Sequence, residues 1–216
     1  MIKIKRKSSD YSQVLVTSDL HYGHNKDFVW AARGFENEQE HSAWIRSQLL
    51  NLDPKTLLIF LGDFGLSVGP DPIINLIREI PCETLMVWGN HNSGVKQLYA
   101  TACDDYHASH EEVYPLPLTP NVTMIGDSML LKIDHSLFYC THMSPLVYPE
   151  MSLGAMCLCG HSHGKIEGIN PRGTNFGKIL DCGVDNAKAH NSTAFFSLQE
   201  IQEIMVTKPR ASWDHH

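Results

Sequence analysis

Five short apolar runs along the chain each stop abruptly at polar residues of metal-ligand type. Val14-Leu15-Val16-Thr17 leads into Ser18-Asp19-Leu20-His21, and Leu58-Ile59-Phe60-Leu61 into Gly62-Asp63. Leu85-Met86-Val87-Trp88 leads into Gly89-Asn90-His91, Leu137-Phe138-Tyr139-Cys140 into Thr141-His142, and Met156-Cys157-Leu158-Cys159 into Gly160-His161-Ser162-His163-Gly164. Short apolar runs bounded by Gly, Asp and Asn read as buried strands. In open α/β sheets ligands gather at the C-terminal tips of such strands. One Asp after one strand is more often a turn residue; five such endings in succession point to a shared site.

The segments between the runs supply crossovers. Trp44, Ile45, Leu49 and Leu50 fall near helical spacing within Glu40 to Leu50, and Asn51 to Pro54 ends that helix. Asp71 reads as an N-cap with Pro72 at N1, followed by the apolar face Ile73, Ile74, Leu76, Ile77 and Ile80. Val95 to Ala102 reads as a further helix. The first half is therefore β-α-β-α-β-α, which implies parallel strands. Residues 103–120, with three prolines and several acidic residues, read as an exposed connection or small insertion. The second half is strand-rich: Val122 to Ile125, Met129 to Ile133, Leu137 to Cys140, Ala155 to Cys159, Lys178 to Asp181 and Ala194 to Phe196, with a hairpin turn at Asp134-His135. Ile2 and Ile4, alternating with lysines, begin an edge strand. The expected architecture is a single α/β domain of two packed mixed β-sheets flanked by helices, with the ligand-bearing tips at one edge.

Composition narrows the function classes. The chain has 216 residues, 43% of them hydrophobic, enough for a sizeable core in one domain. No apolar stretch approaches the roughly 18 residues of a membrane span, and the basic start has no signal-peptide core, so a cytoplasmic protein is expected. Its six cysteines lie mostly in apolar runs without a CxxC pair, as buried free thiols do. The net charge of -7 argues against duplex DNA as a partner, though not against a small phosphate ester captured by metal ions.

The ordered set Asp19-x-His21, Gly62-Asp63, Gly89-Asn90-His91, His142 and Gly160-His161-x-His163 resembles the signature of the calcineurin-like metallophosphoesterases, most of all their small bacterial and phage-encoded members. The resemblance spans residues 19 to 163 and extends to the closing strands. It implies an α/β/β/α sandwich and two divalent metal ions, with Mn²⁺ favoured and Fe²⁺, Zn²⁺ or Ni²⁺ compatible with an O/N ligand set. Asp19, His21, Asp63 and His163 would surround one ion, and Asp63, Asn90, His142 and His161 the other, Asp63 bridging. Two ions roughly 3.5–4 Å apart supply a hydroxide nucleophile and neutralise charge on phosphorus. With two carboxylates and a hydroxide, two such ions leave the site at +1, attractive to an anion. His91 is implied as the group that faces substrate and protonates the leaving oxygen. An acidic residue usually follows that histidine; here Asn92 does, which is expected to orient His91 without adding charge.

The implied reaction is hydrolysis of a phosphate ester, with a phosphodiester of small nucleotides or short single strands as first choice. A phosphomonoesterase (nucleotide or protein phosphatase), a nuclease and a non-catalytic scaffold of the same fold stay open. Specificity would come from residues 22–36, 64–71, 103–120 and 143–154, Tyr148 included, since the chain has little room for a cap domain. Asn90 and His24 are candidates for substrate contact, Asn25 and Arg33 weaker ones. His107 and His110 read as solvated loop residues, Asp185 of Gly183-Val184-Asp185 as a turn or capping residue, and Trp44 and Trp88 as core.

Overall fold

The computed structural model of the chain describes residues 1–92, 94–96, 115–168 and 177–210. In chain order its elements are β1 (Ile2–Arg6), β2 (Gln13–Thr17), α1 (Asp27–Trp30), α2 (Glu38–Leu50), β3 (Thr56–Phe60), α3 (Pro70–Glu79), β4 (Glu83–Val87), β5 (Leu116–Pro117), β6 (Val122–Gly126), β7 (Ser128–Ile133), β8 (Ser136–Thr141), β9 (Met156–Cys159), β10 (Ile179–Asp181), α4 (Val184–Asn191), β11 (Phe196–Ser197) and α5 (Leu198–Thr207).

These strands form two mixed sheets. One has six strands in the order β11-β2-β3-β4-β6-β5, the other five in the order β1-β7-β8-β9-β10. In the first, β2, β3, β4 and β6 run parallel, as the helical crossovers require, while β11 and β5 close the edges antiparallel. In the second, β7 and β8 form the hairpin turned at Asp134-His135, and β8, β9 and β10 are parallel. The edge strand expected at Ile2 and Ile4 is β1, paired with β7.

Strand alternation assigns every apolar side chain to a layer. Val14, Val16, Leu57 and Ile59 join Leu131, Phe138, Leu158 and Leu180 in a core between the sheets, with Ile201 and Met205 of α5 at its side. Leu15, Leu58 and Phe60, one residue out of phase, face away and pack on Ile45 and Leu49 of α2 and Ile73, Leu76 and Ile77 of α3. Helices thus flank the outer face of the six-stranded sheet. On the outer face of the five-stranded sheet, Cys157, Cys159 and Ile179 meet Tyr148 and Met151. Cys82, Cys140, Cys157, Cys159 and Cys182 are buried free thiols, and Trp88 is core.

Several boundaries differ from expectation. α3 starts two residues early, with Gly69 as N-cap and Pro70 at N1, because the fixed φ of proline suits the first helical position and needs no N–H there. Two helices follow β10 where only closing strands were expected. α5 is opened by a capping box in which Ser197 and Glu200 bond each other's backbone N–H. Of the helix expected over Val95 to Ala102, only 95–96 are described. Residues 103–114, with Cys103, His107 and His110, lie outside the described residues, and the end of that connection forms β5. Among the described residues no helix is long and apolar enough to cross a membrane.

Candidate metal centre

Because β2, β3 and β4 are parallel, the turns after Thr17, Phe60 and Val87 leave the six-stranded sheet at one edge, and the turns after β8 and β9 reach the same place from the other sheet. The approach is close. A Cβ on Gly160 would lie 2.0 Å from Ser18 Oγ and 2.3 Å from Asp19 Oδ2, and one on Gly89 would lie 2.0 Å from Asp63 Oδ1. These two positions therefore admit nothing larger than glycine.

The turns themselves are forced. Asp19 (φ 56), His21 (φ 50), Asp63 (φ 58), His161 (φ 67) and His163 (φ 51) all have left-handed backbone. That conformation costs a residue with a Cβ roughly 1–2 kcal/mol. Five such residues in one place cost an appreciable share of the roughly 5–15 kcal/mol that hold a domain together. Backbone of this kind gathers where function demands it.

Each carboxylate has one oxygen tied down and one facing the cluster. Asp19 Oδ2 accepts from the His161 N–H (2.8 Å), and Asp63 Oδ1 from the His91 N–H (2.9 Å). Asp63 Oδ2 lies 3.3 Å from His142 Nε2. Asp19 Oδ1 is 3.8 Å from His21 Nε2 and 4.0 Å from His163 Nε2. The His21 and His163 rings stack 5.1 Å apart. On the other side, Asn90 Oδ1 meets His142 Nε2 at 2.9 Å and His161 Nδ1 at 3.0 Å. His142 is oriented from behind, its Nδ1 donating to the Leu61 carbonyl at 2.8 Å, which leaves Nε2 to face Asp63.

The donor set fits a metal. Asp19 Oδ1 and both ring nitrogens of His21 are buried with no hydrogen-bond partner among the described residues, an arrangement that is costly without a bound cation. The ligand atoms of Asp19, His21 and His163 all lie within 4.8 Å of one another, as do those of Asp19, Asp63 and His142. Asp19 is thus common to both groups, and Asp63 sits with Asp19 and His142. Electrostatics agree. Burial pushes the Asp19 carboxyl above the usual range despite nearby His142 and His163. Burial also acts upward on Asp63, but the His142 hydrogen bond and charge bring it below. His21 is pushed down to about 3, by burial first and then by Arg33 and His163. A neutral imidazole beside close-set carboxylates is what a divalent cation binds.

The chain matches no protein-family model and no curated protein. A solved structure, the protein of unknown function AQ665 from Aquifex aeolicus, superposes with a TM-score of 0.59 and 17% identity over 89% of this chain and 98% of that one. At that identity the likeness concerns the fold alone.

All seven predicted ligands, Asp19, His21, Asp63, Asn90, His142, His161 and His163, come together, with His91 exposed beside them and its ring 5.8 Å from that of His21. Other expectations need correction. His24 is 4% exposed: its Nδ1 accepts from the Lys26 N–H, and its ring packs between His21 of the cluster and the exposed Phe28. Tyr148 is buried on the far sheet face, donating to the Ala155 and Lys178 carbonyls. Asn92 does not orient His91. Its buried Oδ1 accepts from the Asp63 and Gly89 N–H groups, bracing two ligand-bearing turns. Asp185, in the first turn of α4, bonds His163 Nδ1 at 2.8 Å, and Arg33 is buried against Asp185. Neither contact has a local sequence signal, because the partners stand 22 and 152 residues away.

Proposed function

We propose that the chain is a calcineurin-like, metal-dependent phosphoesterase whose substrate is a phosphodiester of a small nucleotide or a short single strand. The observation that carries this reading is the convergence of side chains from five strand ends, in two sheets, on one cluster with orphaned buried oxygen and nitrogen. Asp19, His21, Asp63 and His163 would hold one ion and Asp63, Asn90, His142 and His161 a second, Mn²⁺ being the first choice and Fe²⁺, Zn²⁺ or Ni²⁺ compatible. When bound, such ions supply a nucleophile at neutral pH and stabilise charge on the phosphoryl oxygens.

The remaining steps belong to the chain's own groups. His91 stands exposed at the cluster, its backbone fixed by Asp63, so that its imidazole can give a proton to the departing oxygen. General acid catalysis of that kind contributes about 10²- to 10⁴-fold. A cleft of about 430 Å³ opens beside Asn90 and His142, lined also by Trp88, Lys96, Asp127 and Met143. It gives a second ester arm somewhere to lie, which favours a diester over a monoester.

The test is chelated protein reloaded with Mn²⁺ and assayed on bis-para-nitrophenyl phosphate, para-nitrophenyl phosphate and cyclic nucleotides. Diester hydrolysis is expected, abolished by chelation; in His91→Ala at unchanged metal content it should fall about 10²-fold or more on cyclic nucleotides, whose alkoxide leaving group needs a proton, and much less on the nitrophenyl diester. Turnover of the monoester alone would make the protein a phosphomonoesterase. Metal binding with no turnover of any ester would make it a scaffold.

A further inference from the structure

Arg33 is the most completely engaged charged side chain near the cluster. Its side chain is 1% exposed. Its Nε donates to Asp185 Oδ1 (3.0 Å) and its Nη2 to Asp185 Oδ2 (2.8 Å), a bidentate pair. Nη2 also donates to the Asp19 carbonyl (2.7 Å) and Nη1 to the Leu20 carbonyl (2.8 Å), while Nη1 meets His41 Nε2 at 2.9 Å. Asp185 Oδ2 also takes the His163 Nδ1 contact at 2.8 Å. One end of the pair thus grips the left-handed segment carrying Asp19 and His21, and the other grips the ring of His163.

We propose that Arg33 and Asp185 are positioning residues for one ion of the centre, fixing His163 with Nε2 toward Asp19 and holding the Asp19–His21 backbone in place. The inference rests on the metal-dependent reading above. A carboxylate behind a ligating imidazole fixes its tautomer and raises its basicity, and its loss typically weakens metal binding about 10- to 100-fold. An unpaired carboxylate so near the cluster would also cancel the excess positive charge that attracts an anionic ester. Arg33 supplies the compensating charge, so the orientation comes without that loss. A purely structural pair has no need of either the Asp19 carbonyl or the His163 ring, and apolar residues can often replace such a pair without loss of stability.

Mn²⁺ titration of the chelated full chain, with thermal midpoints of the metal-free proteins measured alongside, tests the pair. Asp185→Asn removes the negative charge behind His163 and replaces one of the two acceptor oxygens by an NH2 donor while keeping the shape. Arg33→Lys keeps the charge but loses the fork. Both are expected to lower the metal-free midpoint, because one partner of a buried pair is left uncompensated, and to weaken one Mn²⁺ equivalent about 10- to 100-fold while leaving the other unchanged, a selectivity that loss of stability alone does not produce. In ¹⁵N spectra the Nδ1–H population of His163 should fall in Asp185→Asn, because an amide is a weaker acceptor than a carboxylate. Wild-type affinity for both equivalents would overturn the proposal. So would equal weakening of both with a matching fall in midpoint, which would make the pair a prop of the fold alone. Wild-type protein that binds no Mn²⁺ would instead remove the metal reading, a failure visible before any variant is made.

Discussion

Asp63 and Asp19 look alike in chemistry and burial, yet they face different partners. Asp63 has one oxygen fixed by the His91 N–H and the other beside His142. Asp19 has one fixed by the His161 N–H and the other between His21 and His163. The proposed scheme makes Asp63 the carboxylate shared by both ions. Asp63→Ala should therefore leave less than one ion per chain after gel filtration, whereas Asp19→Ala should keep the ion at Asn90, His142 and His161. Elemental analysis of the two variants decides the matter, and the reverse pattern would transfer the bridge to Asp19.

Among the elements, the turn after β9 brings the two sheets into contact. Gly160 passes so near Ser18 and Asp19 that an added methyl group must displace one of them. Gly160→Ala is expected to cost about 1–3 kcal/mol, as overpacking does, and to weaken metal binding because Asp19 Oδ2 lies among the displaced atoms. Denaturant unfolding of the metal-free protein measures the first effect and metal titration the second. An unchanged midpoint would mean that the sheets can separate at little cost. Elements of this kind were legible in the sequence because their information is local. Apolar runs marked the strands, and the Gly-Asp, Gly-Asn-His and Gly-His-x-His endings marked the residues that gather in the cluster. The capping box Ser197-x-x-Glu200 also marks the start of α5, just beyond the last strand expected at Ala194 to Phe196. Asn92, His24, Arg33 and Asp185 were not legible in their observed roles. What each does depends on a backbone group or side chain that the fold brings from far along the chain, as when Asn92 reaches the N–H of Asp63.

At the scale of the whole molecule, the site is a seam between two sheets, and a buried histidine on α2, joined to it through Arg33, ties stability to pH. His41, fully buried beside Arg33, has its pKa lowered to about 4, by burial first and then by the Arg33 charge. Between about pH 4 and pH 6.5 the unfolded chain then binds more protons at this residue than the folded one. The His41 contribution therefore falls away on acidification from pH 6.5 towards 4, by about 3 kcal/mol in all. His41→Gln keeps an acceptor for Arg33 and cannot titrate. Unfolding free energies of metal-free wild type and variant across that window should differ in slope, the variant being flatter. Parallel slopes would show that His41 titrates as it does in the unfolded chain.

The left-handed backbone at Asp19, His21, Asp63, His161 and His163 bears on how such a protein can change under selection. Glycine occupies that conformation without penalty, so replacing a ligand by glycine relaxes the chain at the same stroke that removes a donor. A lineage, or a laboratory library, screened only for folding in the absence of metal would be drawn towards losing its ligands one by one, each step rewarded. Selection for stability without metal and selection for metal content should therefore favour different residues at these five positions.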